Sequence, residues 1–167
     1  MGCSSEKTKD LVEEDNKSFP VYRLSIPITN EIDSMVAIDS KNIILGAKDE
    51  FKSIDLNTSE ISTISKEIKD RINYLIKLSD GKVVSGGQDA NLKIWDITKK
   101  ECLYILKGHT SIIWDIKLLN GNQIISACDD NTSKIWNLKD KTRADLYKTR
   151  RHTLIQIIYV LYIYLKI

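Results

Sequence analysis

A segment of this chain occurs twice, and this repetition restricts the possible folds more than any other feature of its 167 residues. The segment VVSGGQDANLKIWDI (83–97) aligns with IISACDDNTSKIWNL (124–138) when the sequence is shifted by 41 positions. The identical residues that then coincide are Ser85 with Ser126, Asp89 with Asp130, Lys93 with Lys134, Ile94 with Ile135 and Trp95 with Trp136. Self-similarity at such a period is typical of repeat architectures.

Each copy consists of short apolar runs separated by polar turns, a pattern that predicts β-strands. Asn-Gly and Asp-Gly pairs at 120–121 and 80–81 are hairpin signals, and a second turn follows at Asp89 and at Asp130. The strands predicted for the last copy are IIWDIKL (112–118), QIISA (123–127), SKIWN (133–137) and ADLYK (144–148), and ECLYILK (101–107) is the fourth strand of the copy before it. Four strands per unit at this spacing favour radial repetition of small sheets.

A weaker third copy lies further towards the N-terminus, at 35–56. Gly46 matches Gly86 there and Asp49 matches Asp89, while Ile54 takes the place of the tryptophan. The sequence therefore predicts three related units.

The stretch GHTSIIWDIKLLNGNQIISACDDNTSKIWN (108–137) resembles a WD repeat of the G-beta type over nearly its whole length. The motif residues that carry the resemblance are Gly108, His109, Ser126, Asp130, Trp136 and Asn137. The resemblance implies an all-β, incomplete β-propeller over residues 21–148, with three four-stranded blades at about 27–64, 68–106 and 108–148. Residues 1–20 are then a disordered polar arm, and 149–167 begin a fourth blade with its first strand.

The same resemblance implies a structural network of hydrogen bonds. In the third unit it joins Trp136, Ser126, His109 and Asp130, and it satisfies the N–H of a buried indole. The second unit has Glu67-Ile68 where Gly-His is expected, so it can build the network in part, from Trp95, Ser85 and Asp89. A catalytic Ser-His-Asp triad is the alternative, but Ser and Asp recur without a His in the second unit, and no strained nucleophile turn surrounds the Ser.

Little in the sequence supports an enzyme, because it has only two histidines, and the WD-repeat resemblance gives both of them scaffold positions. The net charge of +2 arises from lysines scattered among acids, which gives no basic patch for nucleic acid. Cys3, Cys102 and Cys128 have no metal-like spacing, and the latter two are expected to pack as small apolar groups. We therefore predict no cofactor, no metal site and no catalytic residues, in a cytoplasmic protein.

Trp114 and Arg71 are the candidate residues for contact with a partner protein. Both are placed near the loops that begin the innermost strands, and in the WD-repeat family such loops help to build the partner-binding face. An exposed Trp is a common interface anchor. Packing in the core or against an unfinished channel wall is the alternative for Trp114, and simple solvation is the alternative for Arg71.

The N-terminal sequence MGCSS allows acylation of Gly2 by myristate and of Cys3 by palmitate. Glu6 stands where this pattern prefers Ser or Thr, and the five acids between Glu6 and Asp15 oppose an anionic surface. Contact with a membrane is therefore expected only if both residues are acylated.

The apolar tail that follows Arg151-His152-Thr153 is too short for a membrane span of about 20 residues. Those three residues overlay Gly108-His109-Thr110, so LIQIIYV (154–160) is expected to be the first strand of a fourth unit. The pattern favours a truncated or mis-predicted gene product. Self-association through open blade edges and a plain open arc remain as alternatives. The function predicted from the sequence is a non-enzymatic protein-interaction scaffold, with a membrane-tethered signalling adaptor as the second hypothesis.

Overall fold

The computed structural model describes residues 31–48, 50–65, 68 and 70–148, which form three four-stranded antiparallel sheets. In each sheet, strands that are consecutive in the sequence are neighbours. The first sheet contains β1 (Ile32–Ala37), β2 (Asn42–Ala47), β3 (Glu50–Asp55) and β4 (Ile61–Ser65). The second contains β5 (Ile72–Lys77), β6 (Val83–Gly87), β7 (Leu92–Asp96) and β8 (Glu101–Leu106). The third contains β9 (Ile113–Asn120), β10 (Gln123–Cys128), β11 (Thr132–Asn137) and β12 (Arg143–Lys148).

Side chains in the turns explain where the strands end. The Asp80 carboxylate accepts a hydrogen bond from the backbone N–H of Lys82, and Gly81 supplies the positive φ of 84° that this hairpin requires. The turns between β6 and β7 and between β10 and β11 place Ala90 and Asn131 in the left-handed region, with φ of 59° and 61°. The turn positions predicted from the sequence are confirmed, and the strand bounds differ from the prediction by two residues or fewer.

The strand register places the repeated tryptophans at the same point of each sheet. Trp95 is opposite Val83, and Trp136 is opposite Ile124. In the first sheet Ile54 is opposite Ile43, so the prediction that Ile54 takes the tryptophan place is confirmed.

Two hydrophobic layers connect the three sheets into an arc. One layer lies between the first and second sheets and contains Ile44, Phe51, Ile72 and Trp95, with the Phe51 and Trp95 ring centroids 4.8 Å apart. The other lies between the second and third sheets and is made of Leu78, Val84, Leu92, Ile94, Leu106, Ile113, Ile116, Ile124 and Trp136. The structure therefore confirms an incomplete, all-β propeller-like arrangement, and no helix in the described residues is long and apolar enough to cross a membrane.

Several sequence-based expectations lie outside the described residues: the polar arm at 1–20, Asp49, Glu67 and the fourth unit at 149–167. The proposed domain limits stay predictions for the same reason. One expectation about packing is wrong, because Cys102 is exposed and not an apolar core residue. It lies on β8, which is the edge strand of its sheet in the part of the chain that the structure describes. Cys128 is buried, as expected.

Glycine is required where the first strand of one sheet approaches the preceding sheet. A Cβ atom added to Gly46 would lie 2.7 Å from Ile72 Cγ2 and 2.9 Å from Ile72 Cβ. The Cβ of Ile72 is attached directly to the backbone of β5, so it cannot swing away. Close packing of successive sheets therefore depends on the missing side chain at Gly46.

We expect Gly46→Ala to lower the free energy of unfolding by about 1–3 kcal/mol, because the added methyl overpacks the interface between two sheets. Gly121→Ala is the matched control, since a Cβ at Gly121 would meet no atom within 4 Å. Denaturant titration followed by tryptophan fluorescence measures both changes. Equal stability of the two variants would contradict the close approach of β5 to Gly46.

Candidate functional site

The network predicted for the third unit is present as a continuous chain of hydrogen bonds. Trp136 Nε1 donates to Ser126 Oγ at 2.8 Å, and Ser126 Oγ lies 2.7 Å from His109 Nε2. His109 Nδ1 lies 2.8 Å from Asp130 Oδ2. The strands β10 and β11 supply Ser126 and Trp136, the connection between β8 and β9 supplies His109, and the turn between β10 and β11 supplies Asp130. The network therefore ties the entry loop of the unit to its two central strands.

One arrangement of protons satisfies every member of this chain. If His109 is neutral with its proton on Nδ1, that N–H donates to Asp130 and Nε2 accepts from the Ser126 hydroxyl. Ser126 Oγ can then accept the hydrogen bond of the Trp136 indole. Burial of Trp136, which is 2% exposed, contributes on the order of 5 kcal/mol before any penalty. Ser126 prevents the loss of about 1–3 kcal/mol that an unpaired indole N–H would cause.

Asp130 is held in its ionised form. Partial burial raises the pKa of its carboxyl, but hydrogen bonds from the Thr132 side chain, from His109 and from the Thr110 backbone outweigh this effect and hold the pKa well below its ordinary value of 3.8. Oδ1 accepts from Thr132 N at 2.9 Å and from Thr132 Oγ1 at 2.6 Å. Oδ2 accepts from Thr110 N at 3.0 Å and from His109 Nδ1. Asp130 thus holds both the entry loop and the turn after β10.

The distances among Ser126, His109 and Asp130 match those of a nucleophilic triad, but the surroundings do not allow this chemistry. Ser126 is 0% exposed, and the side chain of His109 is also 0% exposed. No substrate can reach the hydroxyl, which already accepts the Trp136 N–H. In this position the three residues stabilise the fold.

Cys128 lies close to His109 and Asp130, and the possible ligand atoms of these three residues are all within 4.8 Å of one another. Metal binding would need an available histidine nitrogen and a thiolate. Both ring nitrogens of His109 are hydrogen-bonded, and burial raises the pKa of the Cys128 thiol to about 11. The cluster therefore fits a hydrogen-bonded core and not a metal centre.

The second unit builds a shorter version of the network. Trp95 Nε1 donates to Ser85 Oγ at 2.8 Å, as expected from the sequence. Ile68 occupies the histidine position and packs as a buried apolar residue, 5% exposed, between the first two sheets. Asp89 differs from the expectation, because it accepts from Asn91 N and forms an ion pair with Lys93 at 2.6 Å. Without a histidine, no hydrogen bond among the described residues connects its carboxylate to Ser85.

The candidate partner residues lie at the starts of the innermost strands. Trp114 on β9 is 54% exposed. Arg71 just before β5 is not simply solvated, since its guanidinium forms a 2.8 Å ion pair with Asp33 and lies 3.7 Å from Glu31. Asp33 and Asn73 occupy the places in β1 and β5 that Trp114 has in β9. Asp33 pairs with Arg71 just before β5, and Asn73 Nδ2 donates to the carbonyl of Ile113, the first residue of β9. Trp114 therefore stands at a position used elsewhere for contact between units.

A second surface was missed by sequence reasoning. A groove of about 470 Å³ lies between the outer strand of the second sheet and the start of β12, with Trp136 beneath it. We call it the outer groove; it is formed by Tyr104, Ile105, Leu106, Lys107, Trp136, Lys141, Thr142 and Arg143. Tyr104 and Ile105 are 42% and 49% exposed, and Lys141 Nζ lies 3.6 Å from the centroid of the Tyr104 ring.

Little in the sequence predicts this groove. Tyr104 and Ile105 are adjacent, so strict alternation of strand residues would expose one and bury the other. Lys141 and Arg143 belong to a different unit, and only the packing of two sheets brings them to Tyr104. The residues that line one surface are thus separated by about one repeat in the chain.

A family model described as "WD domain, G-beta repeat" matches residues 60–96 and 100–137. The chain is 38% identical over 63 residues to "Nuclear distribution protein PAC1-2" of Uncinocarpus reesii, covering 36% of this chain and 14% of that protein. It is 44% identical over 59 residues to "Cell division control protein 4" of Saccharomyces cerevisiae, covering 35% and 8%. Over 119 residues it is 28% identical to "Eukaryotic translation initiation factor 3 subunit I" of Culex quinquefasciatus, covering 64% and 36%.

Solved structures agree on the fold. The RRP9 WD40 repeats superpose with a TM-score of 0.63 at 21% identity, over 72% of this chain and 40% of that one. U3-55K gives a TM-score of 0.64 at 20% identity with the same coverage. The chain therefore spans well under half the length of these relatives and structures, and the similarity to the structures supports the fold alone.

We expect Ser126→Ala to destabilise the protein about twice as much as Ser85→Ala. Removing Ser85 leaves one buried indole N–H without its partner, at a cost of about 1–3 kcal/mol. Removing Ser126 leaves two buried groups without a hydrogen-bond partner, the Trp136 N–H and His109 Nε2. Free energies of unfolding from denaturant titration give the two costs. Equal costs would show that His109 does not depend on Ser126.

Asp130→Asn should destabilise the protein at pH 7, and the difference from the wild type should shrink in acid. The folded-state pKa of Asp130 is depressed, so its stabilisation is present above the unfolded-state pKa of about 3.9 and is lost as the pH falls through the lower folded value. Unfolding free energies of both proteins between pH 7 and pH 3 provide the test. A difference that stays constant down to pH 3 would contradict this role of the carboxylate.

Proposed function

The chain is a partial member of the WD-repeat family, and on this premise we propose that it is a non-enzymatic scaffold that binds partner proteins. The outer groove is the observation that carries the proposal. It is open to solvent along the outer strand of the second sheet, and two of its lining residues, Leu106 and Trp136, also belong to the layer between the second and third sheets. An exposed aromatic and an exposed aliphatic side chain sit beside each other there, as in interface anchors.

The charges around the groove indicate the chemistry of the partner. Lys107, Lys141 and Arg143 all line it. Asp140 lies close by and keeps its negative charge, since hydrogen bonds from Thr142 Oγ1 at 2.6 Å and Thr142 N at 2.9 Å hold the pKa of its carboxyl below the ordinary value, but it is not one of the lining residues. The surface is thus positive around an apolar centre. Such a surface is complementary to an acidic segment of a partner protein that carries an apolar side chain.

Trp114 offers a second contact, at the end of the arc where the innermost strands begin. Its exposure fits a partner anchor, whereas its equivalence to Asp33 and Asn73 fits a contact between units. Arg71 contributes less to binding in this proposal, because Asp33 and Glu31 already neutralise it.

A membrane-tethered adaptor remains the second hypothesis from the sequence. Gly2 and Cys3 lie outside the described residues, so acylation stays a prediction, as do the cytoplasmic location and the expectation that nucleic acid is not a partner. Incorporation of a fatty-acid probe that Gly2→Ala abolishes would support the tether, and absence of label in the wild type would remove it.

We expect the full-length chain to bind a fluorescein-labelled ten-residue peptide in which Asp and Glu surround a central Leu-Tyr pair. Tyr104→Ala and Lys141→Glu should each weaken binding at least tenfold, and higher salt should weaken it further because the attraction is screened. Fluorescence anisotropy measures the affinity. Lys41→Glu is the matched control, an exposed lysine in the first sheet's hairpin.

Two results would contradict the groove as the binding surface. One is equal affinity for a peptide in which Asn and Gln replace the acids. The other is equal loss of binding in Lys41→Glu and Lys141→Glu. Trp114→Ala in the same assay separates the two surfaces, since it should leave binding to the groove unchanged.

A further inference from the structure

The outer groove is bordered by the backbone edge of a strand as well as by side chains. In the part of the chain that the structure describes, β8 is the last strand of its sheet, so β7 pairs with one of its two edges. Edge strands of natural proteins are commonly protected from further pairing by charged side chains or proline. Residues 102–106 (CLYIL) contain neither, and Tyr104 and Ile105 are 42% and 49% exposed.

The third sheet shows which backbone groups of the second sheet face β8. Asn137 N donates to Thr142 O just before β12, and residues two apart in a strand direct their backbone groups to the same side, so Ile135 also faces β12. Ile94 holds the place of Ile135, because the repeat aligns the two residues and β7 and β11 have the same register. Ile94 is therefore hydrogen-bonded to β8, where it is opposite Tyr104.

Ile105 then directs its N–H and C=O away from β7 and towards the open edge. The pairing from Tyr104 to the end of β8 is regular, since the register shift lies on the other side of Tyr104. Lys107, two residues after Ile105, has the same direction: its carbonyl accepts from Arg143 Nη1 at 2.8 Å, and Arg143 lines the same groove. Ile105 thus presents one donor and one acceptor to a further strand.

The side chains around this edge indicate what pairs with it. Tyr104 and Leu106 point to one face of β8 and supply the apolar part of the groove, while Lys107, Lys141 and Arg143 supply positive charge. An extended acidic segment with apolar side chains at alternate positions matches both features. Its backbone hydrogen bonds would give affinity, and its side chains would give specificity.

We propose that the acidic partner segment binds as an additional strand on the edge of β8 and exchanges backbone hydrogen bonds with Ile105. This inference rests on the proposed binding function of the outer groove and adds the conformation of the partner. A second copy of the chain fits the edge less well. Its own β8 offers one acid, Glu101, to three cations, and Lys99 Nζ already lies 3.8 Å from that carboxylate.

Backbone N-methylation of the fluorescein-labelled acidic peptide tests the strand pairing. Two peptides are compared, one methylated at the odd and the other at the even amides of its central residues. In a strand, one of these sets faces β8 and the other faces away. We expect one methylated peptide to bind at least tenfold more weakly in fluorescence anisotropy, and the other to bind as the unmodified peptide does.

The outcomes separate this inference from the function on which it rests. Equal affinity of the two methylated peptides would overturn strand addition, while binding of the unmodified peptide would still support the groove as a binding surface. Failure of the unmodified peptide to bind would overturn both.

A substitution in the protein tests the direction of Ile105. Ile105→Pro removes the N–H that faces the open edge, and proline is tolerated in an edge strand at such a position. Ile105→Ala is the matched control, because it removes the side chain and keeps the N–H. We expect the two variants to be equally stable in denaturant titration, and Ile105→Pro to bind the peptide at least tenfold more weakly than Ile105→Ala.

Equal peptide affinity of the two variants would overturn the proposal. Loss of stability in Ile105→Pro alone would also overturn it, since the N–H would then be bonded to β7. Sedimentation velocity of the wild-type chain covers the remaining occupant. A dimer that Ile105→Pro dissociates and that the peptide does not displace would assign the edge to a second copy, against the proposal.

Discussion

The buried Trp136 and its hydrogen-bonded partners hold the third unit together. The indole supplies apolar area to the layer between two sheets, and its N–H requires an acceptor that the neighbouring strand provides through Ser126. His109 and Asp130 extend this contact to the entry loop and to the turn after β10. The Trp136 side chain thus stabilises the packing between two sheets and, through its hydrogen-bonded partners, the position of the loops at one end of the unit.

In this architecture each sheet is stabilised by packing against its neighbours. The innermost strands make most contacts across the arc: Lys117 Nζ lies 4.3 Å from the Tyr74 ring centroid, and Asn73 Nδ2 donates to Ile113 O at 3.1 Å. Each sheet therefore depends on its neighbour to cover one face, as in other repeat proteins. The outer groove lies where the second and third sheets meet and stays open to solvent, and it is the surface proposed for partner binding.

Sequence reasoning succeeded where the physical requirement is local or repeated. The turn at Asp80-Gly81, the strand bounds and the tryptophan register follow from short patterns, which two copies make specific. It failed for Cys102, for Asp89 and for the outer groove. Asp89 carries the repeated residue type, but its partner is decided by the missing histidine and by the nearby Lys93. Cys102 lies in an apolar run, and its exposure follows from the position of β8 at the edge of its sheet.

The sequence by itself determined the unit: four strands, their turns and the residues that satisfy the buried indole, because these depend on spacing within about forty residues. Tertiary structure alone decided which surfaces are closed and which are open. Tyr104 on β8 and Lys141 before β12 meet only because two sheets pack side by side. Likewise, Ser126 and His109 have the geometry of a catalytic pair, and complete burial makes them a structural support. Exposure is a property of packing between distant segments, so no local pattern encodes it.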